Sequence, residues 1–127
     1  MYIDKDSRVL IQGITGRQGS YHTQKMLEGG VAVVAGVTPG KGGQNVCGVP
    51  VYDHVAQAKT KRAIDVSMII VPPPFVLSAA TEAIEGGIPL LVLITENVPV
   101  HDVMRIKALA RKKGTRFIGP NTIGIIA

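Results

Sequence analysis

Five short runs of unbroken aliphatic residues constrain this chain more than any other feature. They are Arg8-Val9-Leu10-Ile11-Gln12-Gly13, Val31-Ala32-Val33-Val34-Ala35-Gly36, Val66-Ser67-Met68-Ile69-Ile70-Val71, Leu90-Leu91-Val92-Leu93-Ile94 and Arg116-Phe117-Ile118-Gly119. None alternates apolar with polar residues as a half-solvated strand does. Continuous Val- and Ile-rich strands belong to sheets covered on both faces, which are the parallel ones. Helical patterns separate the runs. Between Pro74 and Gly86, Val76, Ala80, Ala83 and Ile84 fall on one face, with proline at the start and Gly86-Gly87 as the stop. Between Pro99 and Lys113, Val103, Ile106, Leu109 and Ala110 form a stripe that ends in Arg111-Lys112-Lys113, complementing the helix dipole before Gly114. A weaker pattern covers Gly16 to Leu27, and a short helix is expected from Asp53, an N-cap residue type, to about Thr60. Strand and helix in alternation predict an α/β fold, a doubly wound parallel sheet of about five strands with flanking helices. The 127 residues make one domain, with no repeat and no linker. Residues 37–52 are the longest irregular stretch, and a long glycine-rich loop after the second strand points to function.

Composition removes several classes of function. The single cysteine, Cys47, excludes an internal disulfide framework and a cysteine-only metal cluster. It has no neighbouring base and reads as structural. His22, His54 and His101 do not cluster with it or with carboxylates, so a metal site is not expected, and each histidine reads as a surface or packing residue. Fourteen Lys and Arg against nine Asp and Glu give a net charge of +5, which favours anionic ligands but is too dispersed to argue for nucleic acid. The longest charge-free stretch, Val66 to Thr81, is broken by Pro72-Pro73-Pro74, so no membrane span is expected. The polar, acidic start Met1-Tyr2-Ile3-Asp4-Lys5-Asp6 is unlike a signal peptide, so the expected location is the cytosol, or a compartment whose address was removed.

The first strand runs into Gly13-Ile14-Thr15-Gly16-Arg17-Gln18-Gly19. Glycines at spacing three and three, after a strand and opening a helix, let backbone approach a phosphate at the helix N-terminus. Dinucleotide-binding folds place an acid about 20 residues further on, where it meets the ribose hydroxyls. Here the region reads Gly36-Val37-Thr38-Pro39-Gly40-Lys41-Gly42-Gly43, with no acid and with a lysine among glycines. Lys41 suits a phosphate on the adenosine ribose, carried at the 2′ position by NADP and at the 3′ position by coenzyme A. The loops after the later strands face the same side of the sheet. They supply Val71-Pro72-Pro73-Pro74-Phe75, a rigid apolar wall for a flat ring, then the polar ends of Ile94-Thr95-Glu96-Asn97, then Gly119-Pro120-Asn121.

Taken together, these five blocks resemble the N-terminal coenzyme A-binding domain of the α subunit of succinyl-CoA synthetase, in family order and spacing over essentially the whole chain. The resemblance implies a Rossmann-like domain that binds coenzyme A. It implies that Thr15, Gly16, Arg17 and Gln18 contact the cofactor and that Lys41 meets the phosphorylated ribose. It places Val71 and Pro72 near the ring system, and Ile94, Thr95 and Glu96 along the pantetheine arm. It also implies a C-terminal α-subunit domain with a phosphorylated histidine and a β subunit with the nucleotide site. Without these partners the 127-residue chain is expected to be inactive as a ligase. No residue is assigned a catalytic role; the domain's expected contribution is to position the coenzyme A thiol. Two departures are Thr122-Ile123-Gly124, where the family often has Cys-Pro-Gly, and the end of the chain at Ala127. An NADP-binding dehydrogenase domain and a stand-alone coenzyme A or nucleotide sensor are the alternatives.

Overall fold

A computed structural model describes residues 6–119; the motif at 120–124 lies outside the described residues. The first strand, β1 (Arg8–Gln12), leads into α1 (Arg17–Glu28) and then β2 (Ala32–Val37). A two-stranded hairpin, β3 (Asn45–Val46) and β4 (Val49–Tyr52), precedes α2 (Val55–Lys61) and β5 (Val66–Ile69). A single 3-10 turn at Pro73–Phe75 opens α3 (Val76–Glu85), and β6 (Leu90–Leu93), α4 (Val100–Lys113) and β7 (Arg116–Ile118) complete the order. The strands lie in the order β3-β4-β2-β1-β5-β6-β7, and every pair is parallel except β3 with β4. The chain moves outward from β1 to β4, then crosses back to β5 on the other side of β1. That reversal opens a crevice beyond the carboxyl ends of β1 and β5, where folds of this type bind ligands.

The unbroken aliphatic runs are explained by burial on both faces. In β1, Leu10 enters the layer that holds Ile69, Leu91, Leu93 and the buried faces of α2, α3 and α4. Its neighbours Val9 and Ile11 enter the opposite layer with Ile14, Val33 and Val66, against Met26 and Leu27 of α1. The stripes expected in the two long helices face the core: Val76, Ala80, Ala83 and Ile84 in α3 and Val103, Ile106 and Ala110 in α4 are buried, and Leu109 is half-buried against them. Among the described residues no helix is long and apolar enough to cross a membrane.

Two expectations are corrected. The stretch 37–52 is not wholly irregular, because its second half is the hairpin β3–β4. The turn, Cys47-Gly48, has both residues at positive φ (51 and 85), as a two-residue type I′ turn requires. Cysteine is an unusual occupant of the first position, so the usual Asn-Gly signal is missing. Cys47→Asn is expected to stabilise the chain by about 0.5–1 kcal/mol, because asparagine tolerates the left-handed region better. A melt under reducing conditions should rise by roughly 2–5 °C; an unchanged or lower midpoint would contradict the turn assignment.

The second correction concerns Asp53, which is not the cap of α2. His54 holds the N-cap position. Gln57 Oε1 accepts from the Asp53 and His54 N–H groups just ahead of the helix, and the first helical N–H, that of Val55, donates to the Glu82 carboxylate on α3 at 2.7 Å. With the Val55 donor taken by Glu82, the Asp53 carboxylate turns instead toward the glycine loop.

Candidate functional site

The crevice holds two clefts separated by a ridge. The first, about 410 Å³, lies between the ends of β1 and β2 and the start of α3, and includes Gly13, Thr15, Gly16, Thr38, Val71 and Pro72. The second, about 920 Å³, includes Gly16, Arg17, Gln18, Val71, Pro72, Ile94, Thr95 and Glu96. Gly16, Ile70, Val71 and Pro72 border both, so the two clefts meet at the head of α1.

Three glycines build this junction in three different ways. Gly13 is at φ +92, and a Cβ there would lie 2.2 Å from the Ile70 carbonyl oxygen. The chain therefore turns sharply out of β1 against the end of β5. At Gly19, a Cβ would lie 2.0 Å from the Gly13 carbonyl oxygen, so α1 can approach the strand end only without a side chain. Gly16 is different. Its backbone is extended (φ −73, ψ 167), and the nearest atom to an added Cβ is the Gly13 carbonyl oxygen at 3.5 Å. Neither conformation nor packing calls for glycine there, yet it borders both clefts.

The N-terminus of α1 has no side-chain cap and no acidic residue in its first turn. Its first N–H groups thus lack the partners that cap residues usually provide, and the positive end of the helix dipole faces the clefts. Thr15 ties the loop in place by donating from Oγ1 to Thr38 Oγ1 at 3.1 Å. Thr95 lines the larger cleft, but its hydroxyl already donates to the Val71 carbonyl at 2.6 Å and so braces the ridge. Gln12, on the floor of the smaller cleft, is buried and satisfied: its amide donates to the Ala79 carbonyl, and its oxygen accepts from Ser67 Oγ.

The clefts therefore gather nine of the ten residues singled out in the sequence. Lys41 borders neither cleft. It lies exposed on the turn that follows Thr38 and Pro39, both of which border the smaller one. Its N–H donates to the Thr38 carbonyl, and its ammonium makes no ion pair among the described residues. Sequence reasoning had Phe75 in the apolar wall but missed Ser78, Ala79 and Glu82, which continue from it along the smaller cleft at spacing i, i+3, i+4 and i+7. That second helical stripe interleaves with the core stripe of α3 and was there to be found. It also missed Tyr21 and His22 on α1, which line the larger cleft. Among the described residues no group of His, Cys, Asp and Glu is placed to hold a metal. Away from the clefts, at the start of β1, Asp65 accepts from the Arg8 backbone and guanidinium. The side-chain bond from Arg8 is the main reason its carboxyl is held below the usual carboxylate range.

Comparison with known proteins bears on the chemistry. The family described as "CoA binding domain" matches residues 4–97. The succinate–CoA ligase (ADP-forming) subunit alpha of Methanothermobacter thermautotrophicus is 52% identical over 124 residues, covering 98% of this chain and 42% of that one. This chain thus spans about two fifths of the relative's length. Among solved structures, a conserved hypothetical protein from Pyrococcus furiosus superposes with a TM-score of 0.70 at 22% identity, over 89% of this chain and 92% of that one. RSP, a Rex-family repressor solved with β-NADH, gives a TM-score of 0.67 at 16% identity, over 96% and 57%. These two show the fold alone, and the second is a nicotinamide complex, so the fold does not choose the ligand.

Proposed function

Because the chain belongs to the CoA binding domain family and is homologous to succinate–CoA ligase α subunits, we propose that it binds coenzyme A across the two clefts and presents the thiol for thioester formation. The observation that carries the reading is Gly16. A glycine that the fold does not need stands at an uncapped helix N-terminus where the clefts join. A pyrophosphate fits such a place, accepting N–H bonds from Arg17 and Gln18, with Thr15 fixing the loop. The adenine then lies in the smaller cleft against Val71 and Pro72, an apolar wall without N–H donors at proline. The pantetheine arm runs through the larger cleft past Ile94, Thr95 and Glu96. Lys41, on the turn that continues from Thr38 and Pro39 of the smaller cleft, meets the 3′-phosphate.

In this reading the domain supplies position rather than acid–base chemistry. Holding a thiol in line with an activated carboxylate replaces a bimolecular encounter by an intramolecular one. The activation itself falls to partners: a C-terminal α-subunit domain and a nucleotide-binding β subunit, assembled as an ADP- or GDP-forming ligase in the cytoplasm.

Lys41 gives the test. A sheltered charge-assisted hydrogen bond contributes about 1.5–3 kcal/mol, an exposed ion pair at most about 1 kcal/mol. A bound 3′-phosphate would cover part of the exposed Lys41 side chain, so the lower end of the first range applies. Coenzyme A should therefore bind roughly tenfold more tightly than dephospho-coenzyme A. Lys41→Ala should remove that difference while leaving dephospho-coenzyme A almost unaffected, as read by calorimetric titration. Raised salt should narrow the difference in the wild type. Tighter binding of NADP than of coenzyme A would overturn the family-based ligand.

A further inference from the structure

We propose that Asp53 is a positioning residue for phosphate recognition, holding the turn that carries Lys41; the inference rests on the assignment of Lys41 made above. Asp53 follows β4, far along the chain from the turn, yet its Oδ1 accepts N–H bonds from both Gly40 (2.8 Å) and Gly42 (2.9 Å). These are the residues on either side of Lys41. The carboxylate packs directly against the turn: a Cβ on Gly42 would lie 2.7 Å from Asp53 Oδ2. Gly40 and Gly43 are at positive φ (83 and 92), so the segment is glycine-rich and would sample many conformations if unrestrained.

An aspartate before a helix is ordinarily explained as its cap. That explanation is absent here, because His54 holds the N-cap position, Glu82 accepts from the first helical N–H, that of Val55, and the Asp53 carboxylate accepts from Gly40 and Gly42 instead. A carboxylate close to a phosphate site is also electrostatically adverse unless its charge is engaged. Two N–H donors on one oxygen engage it, and the carboxylate makes no ion pair with Lys41 among the described residues, which leaves the ammonium available. The arrangement uses an acid to shape a basic recognition turn without neutralising it.

Calorimetric titration of the 127-residue chain with coenzyme A and dephospho-coenzyme A tests this. In Asp53→Ala the preference for coenzyme A should fall from about tenfold to below about threefold, with dephospho-coenzyme A affinity within about twofold of wild type. A general structural defect would weaken both ligands together. Asp53→Asn keeps the Oδ1 acceptor and loses the adverse charge, so it should retain or exceed the wild-type preference. Gly42→Ala provides an independent route, since its methyl carbon would lie 2.7 Å from Asp53 Oδ2 and displaces the carboxylate; it should lose the preference as Asp53→Ala does, and it decides the matter if Asp53→Ala does not fold. A folded Asp53→Ala or Gly42→Ala with the full preference overturns the inference and leaves Lys41 standing. An Asp53→Asn chain that loses the preference as completely as Asp53→Ala also overturns it. A wild-type chain that binds both ligands equally overturns the Lys41 assignment itself, and this inference with it.

Discussion

Gly16→Val is expected to melt within a few degrees of the wild type and to lose coenzyme A affinity by about a hundredfold or more. The two halves of this result have separate causes. The backbone at Gly16 is extended, a region open to any L-residue, and an added Cβ meets nothing closer than 3.5 Å. Stability should therefore hardly change. The valine methyl groups, however, stand where the two clefts join and keep a pyrophosphate from the N–H groups of α1. Two charge-assisted N–H bonds at about 1.5–3 kcal/mol each, plus about 0.3–2 kcal/mol from the helix terminus, exceed the roughly 2.7 kcal/mol that a hundredfold represents. A circular dichroism melt run beside a calorimetric titration separates the two. Native-like affinity would refute the phosphate role of the loop, and a collapsed mutant would contradict the room the structure shows at this position.

The reasons why some features were legible in the sequence and others were not are physical. A strand buried on both faces has to be apolar at every position, so the five runs announced the parallel sheet and its helices directly. Their ends shifted by a residue or two because a strand ends where its hydrogen bonds end, not where its apolar residues do. The glycine loop was legible for a similar reason: backbone approach leaves no alternative to glycine at Gly13 and Gly19. The hairpin β3–β4 was not legible. It is short, and Cys47 occupies a left-handed position for which the sequence carries no usual signal. The role of Asp53 was hidden because its partners, Gly40 and Gly42, are reached through the fold and not through local spacing. Local rules assigned it to the nearest helix, whereas Glu82 of another helix had taken that duty. The stripe Phe75-Ser78-Ala79-Glu82 was legible in principle. It was obscured by the stronger core stripe on the same helix, since a helix that touches both core and ligand carries two overlapping periodicities.

Gly19→Ala is expected to destabilise the chain by about 3 kcal/mol, and to weaken coenzyme A binding as a consequence. Two effects oppose one another. Alanine is the better helix former, by about 1 kcal/mol in a helix interior. Against this, its methyl carbon would lie 2.0 Å from the carbonyl oxygen of Gly13, 2.8 Å from its carbon and 3.0 Å from the Cα of Ile14. All three are backbone atoms, so no side-chain rotation relieves the contact. Gly13 is itself packed closely against the end of β5, where an added Cβ would lie 2.2 Å from the Ile70 carbonyl oxygen. The helix must lift away from β1, which loosens Thr23, Met26 and Leu27 along its inner face; overpacking of this kind costs about 1–3 kcal/mol and occasionally more. For steric strain to win by the amount stated, it has to exceed the propensity gain several-fold, and a contact this short against fixed backbone does so. Urea denaturation should show the loss as a lower midpoint with little change in slope. Since the N–H groups of α1 move with the helix, affinity should fall together with stability, unlike in Gly16→Val. A Gly19→Ala chain as stable as wild type would mean that α1 does not rest on the Gly13 carbonyl.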